Sequence, residues 1–375
     1  MTEQELLYTI ALTKVTHLNS LHQHRLLETL GSATEIYRNR TDIRQVIPDA
    51  SPALCKSIST MDAQLSAAEE EIRFTQSKHI QCLGLQDDGY PARLRECPDS
   101  PILLYYRGNA DLNTRHIVSI VGTRKITEYG KMLCQGFLRD LRQLCPDALI
   151  VSGLAYGADI HAQRNALEQG MSTIGVIAHG LDQIYPRIHR DTAVRMVSQG
   201  GLLTEYPSHT AIDKMNFVAR NRIVAGIADS TVVIESADKG GSLITARIAR
   251  DYNRDVFAFP GRITDPYSAG CNQLIARSEA LALTSAEEFM KAMGWQSMQE
   301  QQALQRQYAQ RELFPELTGE EQRIVDALGH NEGKAVNQIS IETNIPSGTL
   351  SGLLFALEMK GIVKMMNGGM YRLMG

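Results

Sequence analysis

The chain has 375 residues, 43% hydrophobic and 21% charged, with a formal net charge of −4, enough to bury two or three cores and too acidic to coat nucleic acid by bulk attraction. Any nucleic-acid site must be a local basic patch on an acidic body. No run reaches the roughly 18 apolar residues of a membrane span, and Met1-Thr-Glu-Gln-Glu is no basic leader, so a cytoplasmic chain without a membrane span is expected.

The first segment, 1–78, has helical periodicity (Leu6, Leu7, Ile10, Ala11, then Leu26, Leu27, Leu30, then Ile36), with Gly31 placed to stop a helix. From about residue 79 short apolar runs alternate with helical stretches. Strands are expected at 81–85, 102–105, 117–121, 149–151, 173–178, 201–203, 231–234, 256–259 and 280–283. That alternation makes an α/β domain over 79–295 whose sheet is mostly parallel, with helices on both faces. Residues 296–314 are polar, include Gln-Glu-Gln-Gln-Ala-Leu-Gln-Arg-Gln, and read as a linker. In 315–375 a capping-box pattern, Thr318-Gly-Glu-Glu321, opens a helix through Leu328, and helices are expected at 336–343 and 347–360. Gly361-Ile-Val-Lys-Met, Asn367-Gly368 and Met370-Tyr-Arg-Leu then suit a two-stranded ribbon. Three helices and a hairpin make a winged helix.

Within the α/β region four motifs, three of them bearing glycine, follow or open strand-like runs: Gly122-Thr-Arg-Lys, Ser152-Gly-Leu-Ala-Tyr-Gly, Arg220-Asn-Arg-Ile and Lys239-Gly-Gly-Ser-Leu. Loops at the carboxyl ends of parallel strands gather at the topological switch point, where helix N-termini offer free N–H groups. Glycine lets backbone approach a phosphate and arginine adds a forked charge. The pattern points to an anion-binding crevice built from Gly122, Thr123, Arg124, Lys125, Gly153, Arg220, Asn221, Arg222, Lys239, Gly241 and Ser242. Its spaced cations suit the phosphates of a single strand better than one mononucleotide, with Tyr185, Tyr206 and Phe217 available to stack on bases. The plain alternatives are turns made for packing, and ion pairs of Arg220 and Arg222 with Asp229 or Glu205.

Commoner phosphate chemistries lack their residues. There is no Gly-x-Gly-x-x-Gly after the strand at 117–121, and Gly130-Lys131 stands too far from Gly122, with Met132 where a P-loop needs Ser or Thr. Val151-Ser-Gly-Leu-Ala is not a nucleophile elbow, so Ser152 is expected to cap a helix. His161, His179 and His189, with Asp159, Asp182 and Glu205, have no catalytic spacing and read as hydrogen-bonding loop or core residues. Six scattered cysteines (Cys55, Cys82, Cys97, Cys134, Cys145, Cys271) have no Cys-x-x-Cys pair or adjacent histidine cluster, so buried thiols are expected, with no metal or cofactor.

Seven motifs stand in order between about residues 80 and 290: Ser119-Ile-Val-Gly-Thr-Arg-Lys, Val151-Ser-Gly-Leu-Ala, Gly180-Leu-Asp-Gln-Ile-Tyr-Pro, Leu203-Thr-Glu-Tyr-Pro, Arg220-Asn-Arg-Ile-Val-Ala-Gly, Gly241-Ser-Leu-Ile-Thr-Ala and Val256-Phe-Ala-Phe-Pro-Gly. Together they resemble the DNA-processing protein A (DprA, or Smf) family. The resemblance implies an extended Rossmann core between a helical N-terminal domain, of the SAM or helix-hairpin-helix kind, and a C-terminal winged helix. It further implies a non-catalytic homodimer of natural transformation that binds and protects incoming single-stranded DNA and loads RecA, with single-strand-binding protein as a further partner. Its phosphate contacts fall here on Arg124, on Arg220 to Arg222, and on Lys239 with Gly241 and Ser242. This chain departs from the family pattern at Tyr156 (usually Arg), Ala158, Gln163 (usually His) and Gly240 (usually Ser).

Two regions are less suited to hold DNA than the crevice. Leu12-Thr-Lys-Val-Thr-His-Leu-Asn-Ser-Leu lacks the glycines of a phosphate-holding hairpin turn, leaving the N-terminal helices to packing or regulation. From 317 to 375 five Lys or Arg face six Asp or Glu, helix 347–360 carries no Arg, Asn or Gln to read bases, and Leu353, Leu354, Phe355 and Leu357 are expected in the core. Protein contact is the expected role there, with weak duplex binding as the alternative. A rival for the crevice is a nucleotide phosphoribohydrolase acting on nucleoside monophosphates, but Glu235-Ser-Ala-Asp-Lys-Gly-Gly-Ser lacks that family's proline and its Thr-Glu-Glu acid.

Overall fold

The structure, a computed structural model, describes residues 1–296, 317–328, 333–366 and 369–374. It divides into two compact units, Met1–Ser297 and Met298–Gly375. From 297 on, the linker expected at 296–314 lies outside the described residues, as does the Asn367-Gly368 turn.

In the first unit, helices α1 (Glu3–Thr13), α2 (Ser20–Leu30), α3 (Ala33–Arg38), α4 (Pro52–Ser59) and α5 (Leu65–Ser77) precede the sheet. Polar residues begin several of them: Thr2, Asn19, Ser32 and Ser51 each accept a backbone N–H of the first turn. Gly31 ends α2 at φ 81°, a left-handed conformation that favours glycine. The expected separate helical domain shares its core with the sheet, because Ile10, Leu26, Ile36 and Ile58 pack with Ile102, Leu103 and Tyr105. A second tie is polar. The buried Glu71 carboxylate of α5 accepts from Ser208 N (2.9 and 3.0 Å) and Ser208 Oγ (2.5 Å).

Nine strands form one sheet among the described residues: β1 (Gln81–Gly84), β2 (Leu103–Gly108), β3 (Ile117–Val121), β4 (Leu149–Ser152), β5 (Thr173–Val176), β6 (Gly200–Thr204), β7 (Ser230–Val233), β8 (Asp255–Ala258) and β9 (Leu281–Ala282). All nine correspond to expected apolar runs. Their order is β1-β2-β6-β5-β4-β3-β7-β8-β9, parallel except for β1 with β2 and β2 with β6. The helices between them are α6 (Ala92–Arg95), α7 (Glu128–Leu144), α8 (Ala158–Glu168), α9 (Arg190–Ser198), α10 (Lys214–Gly226), α11 (Gly241–Asp251), α12 (Ala269–Ala276) and α13 (Ala286–Ala292).

Strand alternation sends side chains to two cores. Ile117, Val121, Leu149, Val151 and Val233 meet Ile223 and Val224 of α10 and Ala246 and Ala249 of α11. Val118, Ile120, Ile150 and Val232 meet Phe137 and Leu138 of α7, Ala158 and Ala162 of α8, and Phe289 of α13. Strands β3 to β6 run outward from β3 on one side and β7 and β8 on the other, so the order reverses between β3 and β7. That reversal is where a doubly wound sheet opens a crevice.

The second unit has α14 (Gly319–Leu328), α15 (Val336–Thr343) and α16 (Ser347–Met359), with β10 (Lys334–Ala335), β11 (Val363–Met366) and β12 (Met370–Leu373) in the order β10-β12-β11. The capping box forms: Thr318 N donates to Glu321 Oε2 (2.8 Å) and Glu321 N to Thr318 Oγ1 (3.3 Å). Strand β10 was not expected, since two residues are too short to show a period. Leu354 and Leu357 are buried as expected, whereas Phe355 is 64% exposed, because its position on α16 faces away from the Ile324, Ile339 and Leu350 core.

Candidate anion-binding crevice

At the carboxyl ends of β3, β4 and β7 the loops enclose a crevice of about 600 Å³. Its lining includes Gly122, Thr123, Arg124, Gly153, Arg220, Asn221, Lys239, Gly241 and Ser242 of the expected set. Lys125 and Arg222 are outside it.

The first wall is the turn after β3. Thr123 N donates to Glu235 O (2.7 Å) and Ala158 N to Thr123 O (3.0 Å), locking this turn to the segment after β7 and to the start of α8. A Cβ on Gly122 would lie 2.6 Å from the Ala158 Cβ, so the close approach requires glycine. The buried Glu235 carboxylate accepts from Thr127 N (2.9 Å) and Thr127 Oγ1 (2.6 Å), and Thr127 caps α7. Glu235 therefore organises the wall rather than facing a ligand.

The second loop, after β4, makes room for a buried guanidinium. Arg220 is 3% exposed, Nη1 donates to Val176 O (2.7 Å), and Nε has no partner. A Cβ on Gly153 would sit 1.8 Å from Nη1, so glycine is needed there to admit the arginine. Burial pushes the pKa of Arg220 down, opposed by Asp159. Burial raises the Asp159 carboxyl, opposed by Arg220. Ser152 does not cap a helix: Oγ donates across the sheet to Ile120 O (2.6 Å), and Gly157, at φ 76°, precedes α8. The local motif did not reveal that β4 continues through Ser152.

The third wall is the N-terminus of α11. Gly240 supplies no side-chain cap, and nothing stands within 4 Å of where a Gly241 Cβ would be, leaving first-turn N–H groups facing the crevice. A Cβ at 240 would lie 2.2 Å from Ser236 Oγ, which accepts from Ser242 Oγ (2.8 Å). This chain thus keeps a hydroxyl at 236 in the space that a side chain at 240 would need.

Helix α10 contributes the opposite face through Lys214, Phe217, Arg220 and Asn221. The Arg124 guanidinium carbon lies 5.8 Å from the Phe217 ring centroid, and Tyr185 is 5.8 Å from the same ring. Tyr206 instead hydrogen-bonds Asn216 O (3.4 Å). Lys214 falls outside the motifs that the sequence singles out; its place at the start of α10 is its one local signal.

Four cations therefore line the crevice (Arg124, Lys214, Arg220, Lys239) against one carboxylate, Asp159, and among the described residues Arg124, Lys214 and Lys239 have no ion-pair partner. Arg222 differs. Its guanidinium forms a two-pronged pair with Glu205, including Nη2 to Oε2 at 2.6 Å, and Nε donates to Asp99 O (3.0 Å). The ion-pair alternative holds for Arg222 with Glu205, because alternate neighbours on a helix point about 200° apart. Lys125 is exposed beyond the turn.

The histidines take loop roles. His179 Nδ1 meets Gly180 O (2.9 Å) and its Nε2 accepts from Tyr185 N (3.2 Å), while His189 Nδ1 meets Leu154 O (2.9 Å). Of the departures from the family pattern, Tyr156 is 48% exposed and stands edge-on to His189 outside the crevice lining. Gln163 is buried, with Nε2 3.4 Å from Ile174 O and Oε1 unpartnered.

Known proteins are similar to this chain in sequence and fold. The family described as DNA recombination-mediator protein A matches residues 81–294, and the DprA winged helix domain matches 310–369. The DNA processing protein DprA of Streptococcus pneumoniae is 39% identical over 204 residues, 54% of this chain and 71% of that protein. An X-ray structure of DprA from Streptococcus pneumoniae superposes with a TM-score of 0.65 at 32% identity, covering 76% of this chain and 97% of that one. A structure of DNA processing protein A from Helicobacter pylori, described for its single-stranded DNA binding mode, has a TM-score of 0.52 at 31% identity, covering 57% and 95%. With the family's match spanning the whole sheet and its crevice, the chain belongs to the DNA recombination-mediator protein A family.

Proposed function

We propose that this protein binds single-stranded DNA in the crevice and, as a homodimer in the cytoplasm, protects incoming strands in natural transformation and delivers them to RecA without breaking a bond itself. The observation that carries the reading is the set of unpaired cations around the first turn of α11, backed by a buried arginine with a free Nε. Phosphates of a flexible strand meet Arg124, Lys214 and Lys239 in succession, and Phe217 beside Arg124 gives a base a surface to stack on. The Helicobacter pylori relative's single-stranded DNA binding supports the same ligand class.

The second unit contributes protein contact in this reading. Arg323, Lys334 and Lys360 pair with Glu320, Glu342 and Glu321, whereas Ile341, Phe355 and Met359 are exposed. RecA and single-strand-binding protein are the partners to test there.

The test is fluorescence anisotropy with single-stranded oligonucleotides of increasing length and matched duplex, over a salt series, for wild type and Arg124→Ala. Length-dependent, salt-sensitive preference for single strands that weakens in the variant supports the reading. Equal duplex binding untouched by the variant overturns it, as does release of free base from a nucleoside monophosphate with no strand binding.

A further inference from the structure

At the other end of the sheet, away from the crevice, the fold brings together three potential metal ligands that the sequence keeps apart. His116 immediately precedes β3, while Cys145 and Asp147 occupy the turn from α7 to β4. Cys145 Sγ is 3.2 Å from His116 Nδ1 and 3.3 Å from Asp147 Oδ1, and His116 Nδ1 is 3.8 Å from Asp147 Oδ2. We propose that His116, Cys145 and Asp147 form a binding site for a thiophilic divalent cation of the zinc class, with water as fourth ligand.

The geometry supports this on three counts. First, tetrahedral zinc with sulfur at about 2.3 Å and nitrogen or oxygen at about 2.0–2.1 Å separates its ligand atoms by roughly 3.3–3.6 Å, close to the spacing present. Second, the thiol, the imidazole and the carboxylate converge on one another, so a single cation replacing the thiol proton could take one ligand atom from each, and thiolate with imidazole selects zinc over magnesium or calcium.

Third, the supports are rigid while one route stays open. His116 O accepts from Leu149 N (2.9 Å), Cys145 N donates to Leu141 O (2.7 Å) and Ala148 N to Cys145 O (3.1 Å). Trp295 covers the imidazole with centroids 4.3 Å apart, while the Asp147 side chain is 61% exposed and leaves an entry path. Bound metal would staple the α7–β4 turn to the start of β3. This inference is independent of the DNA reading.

The test is titration of Co²⁺, and then competing Zn²⁺, into the reduced full-length chain. Expected are a thiolate-to-cobalt charge-transfer band saturating at one equivalent and concurrent quenching of Trp295, the chain's one tryptophan. Cys145→Ser should abolish the band. Asp147→Asn, at an exposed position that leaves folding intact, should weaken cobalt binding tenfold or more. Absence of the band in wild type overturns the site, and so does a band that persists undiminished in Cys145→Ser or is unaffected by Asp147→Asn.

Discussion

Arg93 and Arg220, at opposite ends of the same sheet, differ in how far their guanidinium groups are satisfied. Near the amino ends, Arg93 uses its whole fork: Nε donates to Asp229 Oδ1 (2.5 Å), Nη1 to Thr114 O (3.0 Å) and Nη2 to Arg115 O (2.8 Å), while Asp229 Oδ2 accepts from Ile117 N (2.7 Å). At the carboxyl ends, Arg220 makes one bond and keeps a buried Nε unused. In the proposed reading, the satisfied charge of Arg93 supports the fold and the unused Nε of Arg220 is available to a ligand.

The contrast breaks most visibly if the amino-end network proves dispensable. Asp229→Ala strands Arg93 and the Ile117 N–H, both largely shielded, and should cost about 3 kcal/mol in denaturant unfolding while changing single-strand affinity less than twofold. Arg222→Met belongs with it despite adjoining the crevice motif, because it leaves the shielded Glu205 unpaired. It should cost a similar ~3 kcal/mol and spare binding by the folded fraction.

Arg220→Met inverts the pattern. The change should cost less stability than Asp229→Ala, because burial already disfavours this guanidinium even though Asp159 and Val176 O lose a partner, while loss of a charge-assisted contact of about 1.5–3 kcal/mol should weaken single-strand binding tenfold or more. A lower melting temperature with unchanged affinity would assign Arg220 to the fold.

Acid sharpens the comparison less selectively. Burial is the largest cause of the lowered pKa of His116, His161, His179 and His189, so folded histidines take up protons later than unfolded ones. Stability should be flat above about pH 6.5 and fall as the pH drops below it, because the unfolded chain then binds more protons. Thermal melts from pH 8 to pH 5 measure this. The smallest effect is expected for Tyr156→Arg, which adds a cation to the 153–157 loop; it should tighten binding a few-fold and steepen the salt slope by about one.

Much of this was legible in the chain because it is written in short windows. Apolar runs between turns marked all nine sheet strands, Gly31 marked the end of α2, and Thr318 with Glu321 marked a helix start. Glycines marked three walls of the crevice, with Arg124 beside the first and Lys239 beside the third. Spacing could not separate Arg220 from Arg222, since their fates depend on Val176 and Glu205, remote in sequence. Nor could it join His116 to Cys145 across 29 positions or identify Lys214, whose place in the crevice follows from the axis of α10.

The clasp between Glu71 and Ser208 bears on the order in which the molecule is made. During synthesis the carboxylate of α5 leaves the ribosome long before its partner, 137 positions later, so it remains hydrated until β6 and the loop beyond it exist. That loop leads directly into α10, which carries Lys214, Phe217 and Arg220. One wall of the crevice is therefore tied to the helices made first only when a segment made much later folds against them.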